Sequence, residues 1–389
     1  MDMDIKTIAA QSGFTPEGSS KGRPQRDQIV LVFQGGGALG AYQAGVYQAL
    51  HEAGIEPDWV IGTSIGAINA GIIAGNAPKD RLAKLREFWK TVEHRPAHQM
   101  FGFVPWFGQA LAQTLTITGG VSGFFEPNLP AFMGAHVNLG PDQAGYYSTH
   151  PLRRTLEKLI DMDRLNSCET RLTVGAAAVR SGEMHYFDSR DAELSVRHIM
   201  ASGALPPAFP AVRIDGELYW DGGILSNTPV EAVFDDNPRR NSLVFAVHIW
   251  DPMGHEPETM WQVLNRHKDV QYSSRAVSHI NRQKQIHNLR HVISELVSRL
   301  PKAERETPAV RELAGYGCKT QMHVVRLLAP RLASEDHAKD IDFSPEGIRE
   351  RWEAGYADTR QMLGAKPWTG DVDTAEGLIL HEARAARGS

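Results

Sequence analysis

Val60-Ile61-Gly62-Thr63-Ser64-Ile65-Gly66-Ala67-Ile68-Asn69-Ala70 is the stretch around which the rest of the chain is organised. The apolar run Trp59–Ile61 reads as a short buried strand, a G-x-S-x-G turn follows, and small helix-forming residues come next. Strand, tight glycine turn and helix form the context in which G-x-S-x-G marks a nucleophile elbow, here Gly62, Thr63, Ser64, Ile65 and Gly66. Gly62 and Gly66 have no Cβ, so strand and helix can approach closely around a strained Ser64. The hydroxyl then projects at a helix N-terminus, where partial positive charge favours a developing anion. Ser64 is the candidate nucleophile.

A second unit of the same kind lies upstream. Gln28 to Gln34 is a near-continuous apolar run, the pattern of a strand buried on both faces. Gly35-Gly36-Gly37-Ala38-Leu39-Gly40 follows at once, and Tyr42, Val46 and Leu50 then recur at helical spacing. Successive N–H groups in such a loop form an anion-binding nest. A dinucleotide-binding turn would need an acidic residue at the end of the second strand, whereas Asp58 precedes the run Trp59–Ile61. An oxyanion hole built on Gly35, Gly36, Gly37, Ala38, Leu39 and Gly40 fits better. A glycine turn with a packing role alone is the third reading.

The glycine loop followed by Gly62-Thr63-Ser64-Ile65-Gly66 resembles the patatin-like phospholipases. That family uses a Ser–Asp dyad, and its Asp-Gly-Gly motif has its match at Asp221-Gly222-Gly223. Asn227-Thr228-Pro229-Val230 and the block Ala201 to Pro210 also resemble the family, in the same order, so the likeness runs from about Gln28 to Trp250. It implies an α/β fold: a patatin-like three-layer sandwich with a mainly parallel central sheet, helices on both faces and a C-terminal helical extension. It further implies hydrolysis of lipid or other acyl esters through an acyl-enzyme, with Ser64 as nucleophile, Asp221 as base, and no metal or organic cofactor. A carboxylate near pKa ~3.9 is a weak base, so burial in the cleft is expected to raise it.

Two rival readings stay beside this one. A Ser-Asp-His triad needs a later histidine, and His248 or His255 is the candidate. A lipid-binding or signalling module could carry the same motifs without turnover.

Composition sets the outer limits. With 389 residues, 42% hydrophobic and 22% charged, the chain can bury a substantial core, and a net charge of −5 gives no reason to expect nucleic acid. Cys168 and Cys318 stand far apart without metal-ligand spacing, which suggests a reducing compartment and leaves a single disulfide open. Residues 1–27 read as a flexible arm without a signal core, and no apolar stretch reaches the ~20 residues of a membrane span. The expected location is cytoplasmic, with peripheral contact at a membrane surface. No feature sets an oligomeric state.

Within the expected catalytic domain, 28–250, the region 101–147 has two readings. Phe101, Phe103, Trp106, Phe107, Phe124 and Phe125 suit either a packed loop or a lid at an apolar–polar boundary. Ser148-Thr149-His150-Pro151 reads as a capped helix start. Asp215-Gly216 between two strand-like runs predicts a hairpin that ends at Asp221. Residues 251–378 read as a mostly helical extension packed on that domain, with a long amphipathic helix through Val277, Ile280, Ile286, Leu289, Ile293, Leu296 and Leu300. Over 262–302 eight bases face only Asp269 and Glu295, a net +6, so this run suits a solvated face or an anionic lipid surface. Gln321 to Leu328 reads as a last strand, Gly347 to Leu363 as a last helix, and 379–389 as a frayed tail.

Overall fold

The computed structural model describes residues 28–94, 120–273, 276–332, 335, 338–370 and 377–382. The expected N-terminal arm and the aromatics Phe101, Phe103, Trp106 and Phe107 lie outside them.

The first half alternates strand and helix: β1 (Gln28–Phe33), α1 (Ala41–Glu52), β2 (Trp59–Gly62), α2 (Ile65–Ala74), α3 (Pro78–Thr91) and α4 (His150–Leu159). There follow β3 (Arg171–Ala178), β4 (Met184–Asp188), α5 (Val196–Ser202), β5 (Val212–Ile214), β6 (Glu217–Asp221) and β7 (Ser242–His248). The remainder supplies α6 (Met260–Ser273), α7 (Ala276–Arg299), β8 (Met322–Leu328), α8 (Pro345–Ala365) and β9 (Leu378–Glu382). One sheet runs β9-β8-β7-β1-β2-β3-β6-β5, with β4 also paired to β3. The pairings from β9 to β3 are parallel, and those of β4, β5 and β6 are antiparallel.

Alternation along the central strands divides the core between two faces. Leu31 and Phe33 of β1 pack with the residues of α1 and α2, whereas Val30 and Val32 pack with Val233, Phe234 and Ile280 on the other side. Helices therefore cover both faces of a mainly parallel sheet, the layering expected from sequence.

The segment beyond residue 250 is helical for much of its length, and it also completes the sheet. β8 pairs with β7 from Met322↔Ser242 to Leu328↔His248, and β9 pairs with β8. The expectation of a frayed tail from residue 379 is corrected here, because the ladder from Leu378 to Glu382 ties those residues to β8. Helix α8 crosses α1 at close range. The Tyr42 hydroxyl donates to Asp358, and the Trp352 indole donates to Gln48.

Two further expectations are corrected. Helix α7 exists, but its stripe does not face the core throughout: Ile280 is buried, whereas Leu289 and Leu296 are about 60% exposed. A polar residue, His287, takes an inward position instead, because it and His291 can bond to the Thr320 carbonyl. Thr149 occupies the N-cap of α4 without a capping bond from its side chain, and Ser148 Oγ accepts from the His150 N–H at 3.3 Å. The basic run is also less free than its composition suggests, since Lys268, Arg299 and Arg266 bond to Asp340, Glu295 and the Pro252 carbonyl. Cys168 and Cys318 are free thiols.

Candidate active site

Strand register brings Ser64 to Asp221. One edge of β3 carries β4. The other is shared end to end, with β2 pairing as far as Gly62↔Val174 and β6 taking over at Asp221↔Ala176. The chain leaves β2 at Gly62, so Ser64 arrives where β6 brings in Asp221. The Asp215-Gly216 turn that aims β6 has φ of 49° and 88° at its two central residues, as a two-residue hairpin requires.

The elbow is tight. A Cβ on Gly62 would sit 2.3 Å from the Gly66 backbone, so only glycine lets β2 and α2 meet here. Ser64 is held at φ 56° and ψ −125°, a strained conformation for a residue with a side chain. Its N–H is fixed by Ser202, whose carbonyl and Oγ both lie 3.0 Å away, and Ser202 Oγ in turn donates to the Gly175 carbonyl at 2.6 Å. The backbone is thus over-determined from the Ala201–Pro210 block, which leaves the half-buried side chain of Ser64 free to face the cavity.

Asp221 is 2% exposed. Its carboxylate accepts from the Gly223 N–H at 2.7 Å and shares the cavity with Ser64, and its own N–H donates to the Ala204 carbonyl at 3.0 Å. Burial pushes the carboxyl up to about 7 although the Gly223 N–H and the Ser64 hydroxyl act to lower it, and among the described residues no Lys, Arg or His lines the cavity to offset it.

The glycine loop is set by bonds that aim particular peptides. The Gly35 carbonyl accepts from Trp250 Nε1 at 2.7 Å and from Asn227 Nδ2 at 3.1 Å. A trans peptide points its N–H opposite its carbonyl, so the Gly36 N–H faces away from those two side chains. Likewise the Gly36 carbonyl accepts from Leu39 N–H at 3.2 Å, which turns the Gly37 N–H the other way. The N–H groups of Gly35, Ala38 and Leu39 are engaged by the carbonyls of Asn227, Asp340 and Gly36. Those of Gly36 and Gly37 have no acceptor among the described residues, and both glycines line the cavity. Gly40 serves packing: a Cβ there would meet Ile65 at 2.6 Å.

The cavity encloses about 190 Å³, and its exposed lining is mostly apolar. Ile65, Ile68, Leu152, Met200, Phe209 and Phe343 form much of the wall. Phe124 and Phe125 belong to that wall, packed on Phe343 and Tyr147 with ring centroids at 5.6 and 5.0 Å. These two aromatics are both packed and part of the cavity wall, so they fit the loop reading and the mouth reading alike. Sequence reasoning missed Ser202, Gln34, Tyr272, Asp340 and Phe343. Gln34 bridges Thr228, Tyr272, Ile249 and Trp250 through its amide, and only its position directly before the glycine loop hinted at a role.

Neither histidine nominated for a triad reaches this site. His248 is buried at the end of β7 and held neutral by burial, with its pKa near 3, and His255 is exposed. Asp58, the acid a nucleotide site would use, instead accepts from the Ile29 N–H at 2.9 Å.

Comparison with known proteins gives two family matches. A model described as patatin-like phospholipase matches residues 31–234, and a second, described as patatin phospholipase, matches 270–375. Lysophospholipase NTE1 of Yarrowia lipolytica is 26% identical over 221 residues, covering 57% of this chain and 12% of that protein. Lysophospholipase NTE1 of Saccharomyces cerevisiae is 25% identical over 247 residues, 61% of this chain and again 12% of the relative. The chain thus spans about an eighth of the length of these curated relatives. Among solved structures, VipD from Legionella pneumophila is similar at 18% identity and a TM-score of 0.36, covering 88% of this chain and 67% of that one.

Proposed function

The chain belongs to the patatin-like phospholipase family, and from that premise we propose that it is a lipid acyl hydrolase working through a Ser64–Asp221 dyad. The observation that carries this reading is the meeting of Ser64 and the buried Asp221 in one apolar cavity, with the Asp221 carboxyl pushed up to about 7. A base works best when its pKa is close to the operating pH.

Ser64 Oγ attacks the ester carbonyl carbon while Asp221 takes the hydroxyl proton. The carbonyl oxygen becomes an oxyanion beside the N–H groups of Gly36 and Gly37, at the N-terminal end of α2. As the intermediate collapses, the C–O bond to the leaving group breaks, and Asp221 returns the proton to that alcohol. Water then repeats the sequence. Asp221 removes its proton, the hydroxide adds to the acyl carbon, and Ser64 Oγ leaves and is reprotonated. Of the six loop residues, Gly36 and Gly37 are the donors in this account, and Gly35, Ala38, Leu39 and Gly40 hold them in place.

The apolar cavity suits an acyl chain. Beside it a wider cleft of about 440 Å³ shares Tyr147, Thr149 and Met200 and carries His150, Arg153, Arg197 and Arg213. Arg153 pairs with Glu157 and Arg213 with Asp142, while Arg197 has no carboxylate partner among the described residues. That arrangement favours an ester whose head group carries a phosphate, a phospholipid or lysophospholipid, over a glyceride without one. The exposed apolar residues Leu129, Phe132 and Met133 adjoin the same mouth, with Phe132 packed 6.3 Å from Tyr147, and support approach from a lipid surface.

The test is hydrolysis of a panel of phosphatidylcholine, lysophosphatidylcholine and triacylglycerol, with a fluorophosphonate adduct mapped by mass spectrometry. The expected adduct is on Ser64. A folded protein without adduct and without ester turnover on the panel is a binding module instead. Arg197→Ala is expected to raise KM about 5–20-fold for the two phosphate-bearing lipids, the loss of one charge-assisted contact, and to leave triacylglycerol unchanged. An equal change on triacylglycerol would remove the head-group assignment.

A further inference from the structure

The glycine loop is held by a part of the chain that contributes neither nucleophile nor base. Asp340 lies in the turn before α8, and its carbonyl accepts the Ala38 N–H at 2.9 Å. Gly37 sits at φ 55°, and a Cβ there would lie 2.2 Å from that same carbonyl oxygen, so the two backbones are in direct contact. The Asp340 carboxylate is gripped by Lys268 of α6, whose Nζ lies 2.7 and 2.9 Å from its two oxygens. The neighbouring residues pair in the opposite sense: Lys339 Nζ lies 2.6 Å from Asp269, which also accepts from Arg331 at 2.9 Å.

Lys268-Asp269 and Lys339-Asp340 are therefore two Lys-Asp dipeptides that exchange partners. The same helix reaches the loop from its other end. The Tyr272 ring packs on Trp250 at 5.0 Å, and the Tyr272 carbonyl accepts from Asn227, and Trp250 and Asn227 are the two side chains that fix the Gly35 carbonyl. Gly36 and Gly37 lie between these two points of attachment.

We propose that the crossed Lys268–Asp340 and Asp269–Lys339 pairs form a clasp that positions the glycine loop, with Lys268 and Asp340 as positioning residues for hydrolysis. The proposal rests on the reading of Gly36 and Gly37 as oxyanion donors. Lys268 is 34% and Asp340 21% exposed at the side chain, so their pair adds little to global stability. Its effect lies in the placement of the Asp340 carbonyl, and hence of the Ala38 and Gly37 peptides. A donor aimed at the oxyanion loses value steeply when displaced.

The experiment compares full-length Lys268→Asp, Asp340→Lys and the exchanged double variant on a p-nitrophenyl ester. Active sites are counted by the end point of fluorophosphonate labelling. Each single variant is expected to lower kcat per active site ~10–100-fold, less than the ~10²–10³ lost with an oxyanion donor removed outright, with KM within about threefold. The rate of fluorophosphonate capture should fall in parallel. In the double variant the 268–340 pair is again attractive and the 269–339 pair is kept, and at least ~10-fold of the single-variant loss should return. Where Lys268→Asp does not fold, Lys268→Met removes the pair without placing like charges together and should shift kcat in the same direction.

Unchanged kcat per active site in the single variants, a loss explained wholly by fewer active sites, or a double variant as impaired as the product of the singles overturns the clasp. Wild-type protein that takes no label on Ser64 defeats instead the reading of the site on which the clasp depends.

Discussion

Ser64→Ala is expected to lower kcat for ester hydrolysis by roughly 10⁴–10⁶-fold, the range seen when the nucleophile of a serine hydrolase is removed. Among the described residues no other serine lines the cavity, so no neighbouring group of the same kind among them can replace it. The fold should be retained. The strained backbone at φ 56° is held by Ser202 through the N–H, which alanine keeps, so the melting temperature should change little. Steady-state turnover and thermal melting on the same preparation check both halves. A folded Ser64→Ala protein with more than about a tenth of wild-type turnover would remove Ser64 from the mechanism.

Asp221→Asn is expected to separate activity from stability. Turnover should fall about 10³–10⁴-fold, because an amide cannot accept the serine proton. In the wild type, kcat/KM should rise with pH and level off above a midpoint of about 7, where the buried carboxyl ionises. Stability runs the other way. The folded carboxyl has its pKa raised from 3.8 to about 7, so the native state binds this proton more tightly than the unfolded chain does. The carboxyl's contribution to stability therefore declines as pH rises from about 4 to 7 and stays reduced above that, by roughly 4 kcal/mol. Asparagine does not ionise. The variant should melt higher than wild type at pH 8, with the difference vanishing near pH 4. Equal melting at both pH values would mean that Asp221 is not held against ionisation.

Ser64 and Asp221 were legible in the sequence because each is announced by a local pattern. A strand, a glycine turn and a helix surround Ser64, and an Asp-Gly hairpin leads to Asp221. The central strands were legible for a similar reason, since runs such as Gln28–Gln34 are apolar on both faces. The six residues Gly35 to Gly40 could be recognised as a loop but not sorted. Which N–H groups remain open is decided by Asn227, Trp250 and Asp340, roughly 190 to 300 positions away, and no local period encodes that. Tyr272, Asp340 and Phe343 were invisible on the same ground. In α7 the apolar spacing misled, because a helix can bury a polar residue such as His287 wherever a carbonyl waits for it.

The Ala38–Asp340 bond also fixes an order of events in the life of each molecule. A ribosome makes Ser64 and Asp221 long before it makes Asp340. A nascent chain of intermediate length would carry nucleophile and base beside a glycine loop that lacks its outer tether, and beside a sheet still missing β8 and β9. Stalled chains that stop short of Ala338 are then expected to take no fluorophosphonate on Ser64, and labelling of such chains would refute this. If the proposed hydrolysis of membrane lipid holds, the arrangement delays reactivity until the segment that carries Asp340 has been made.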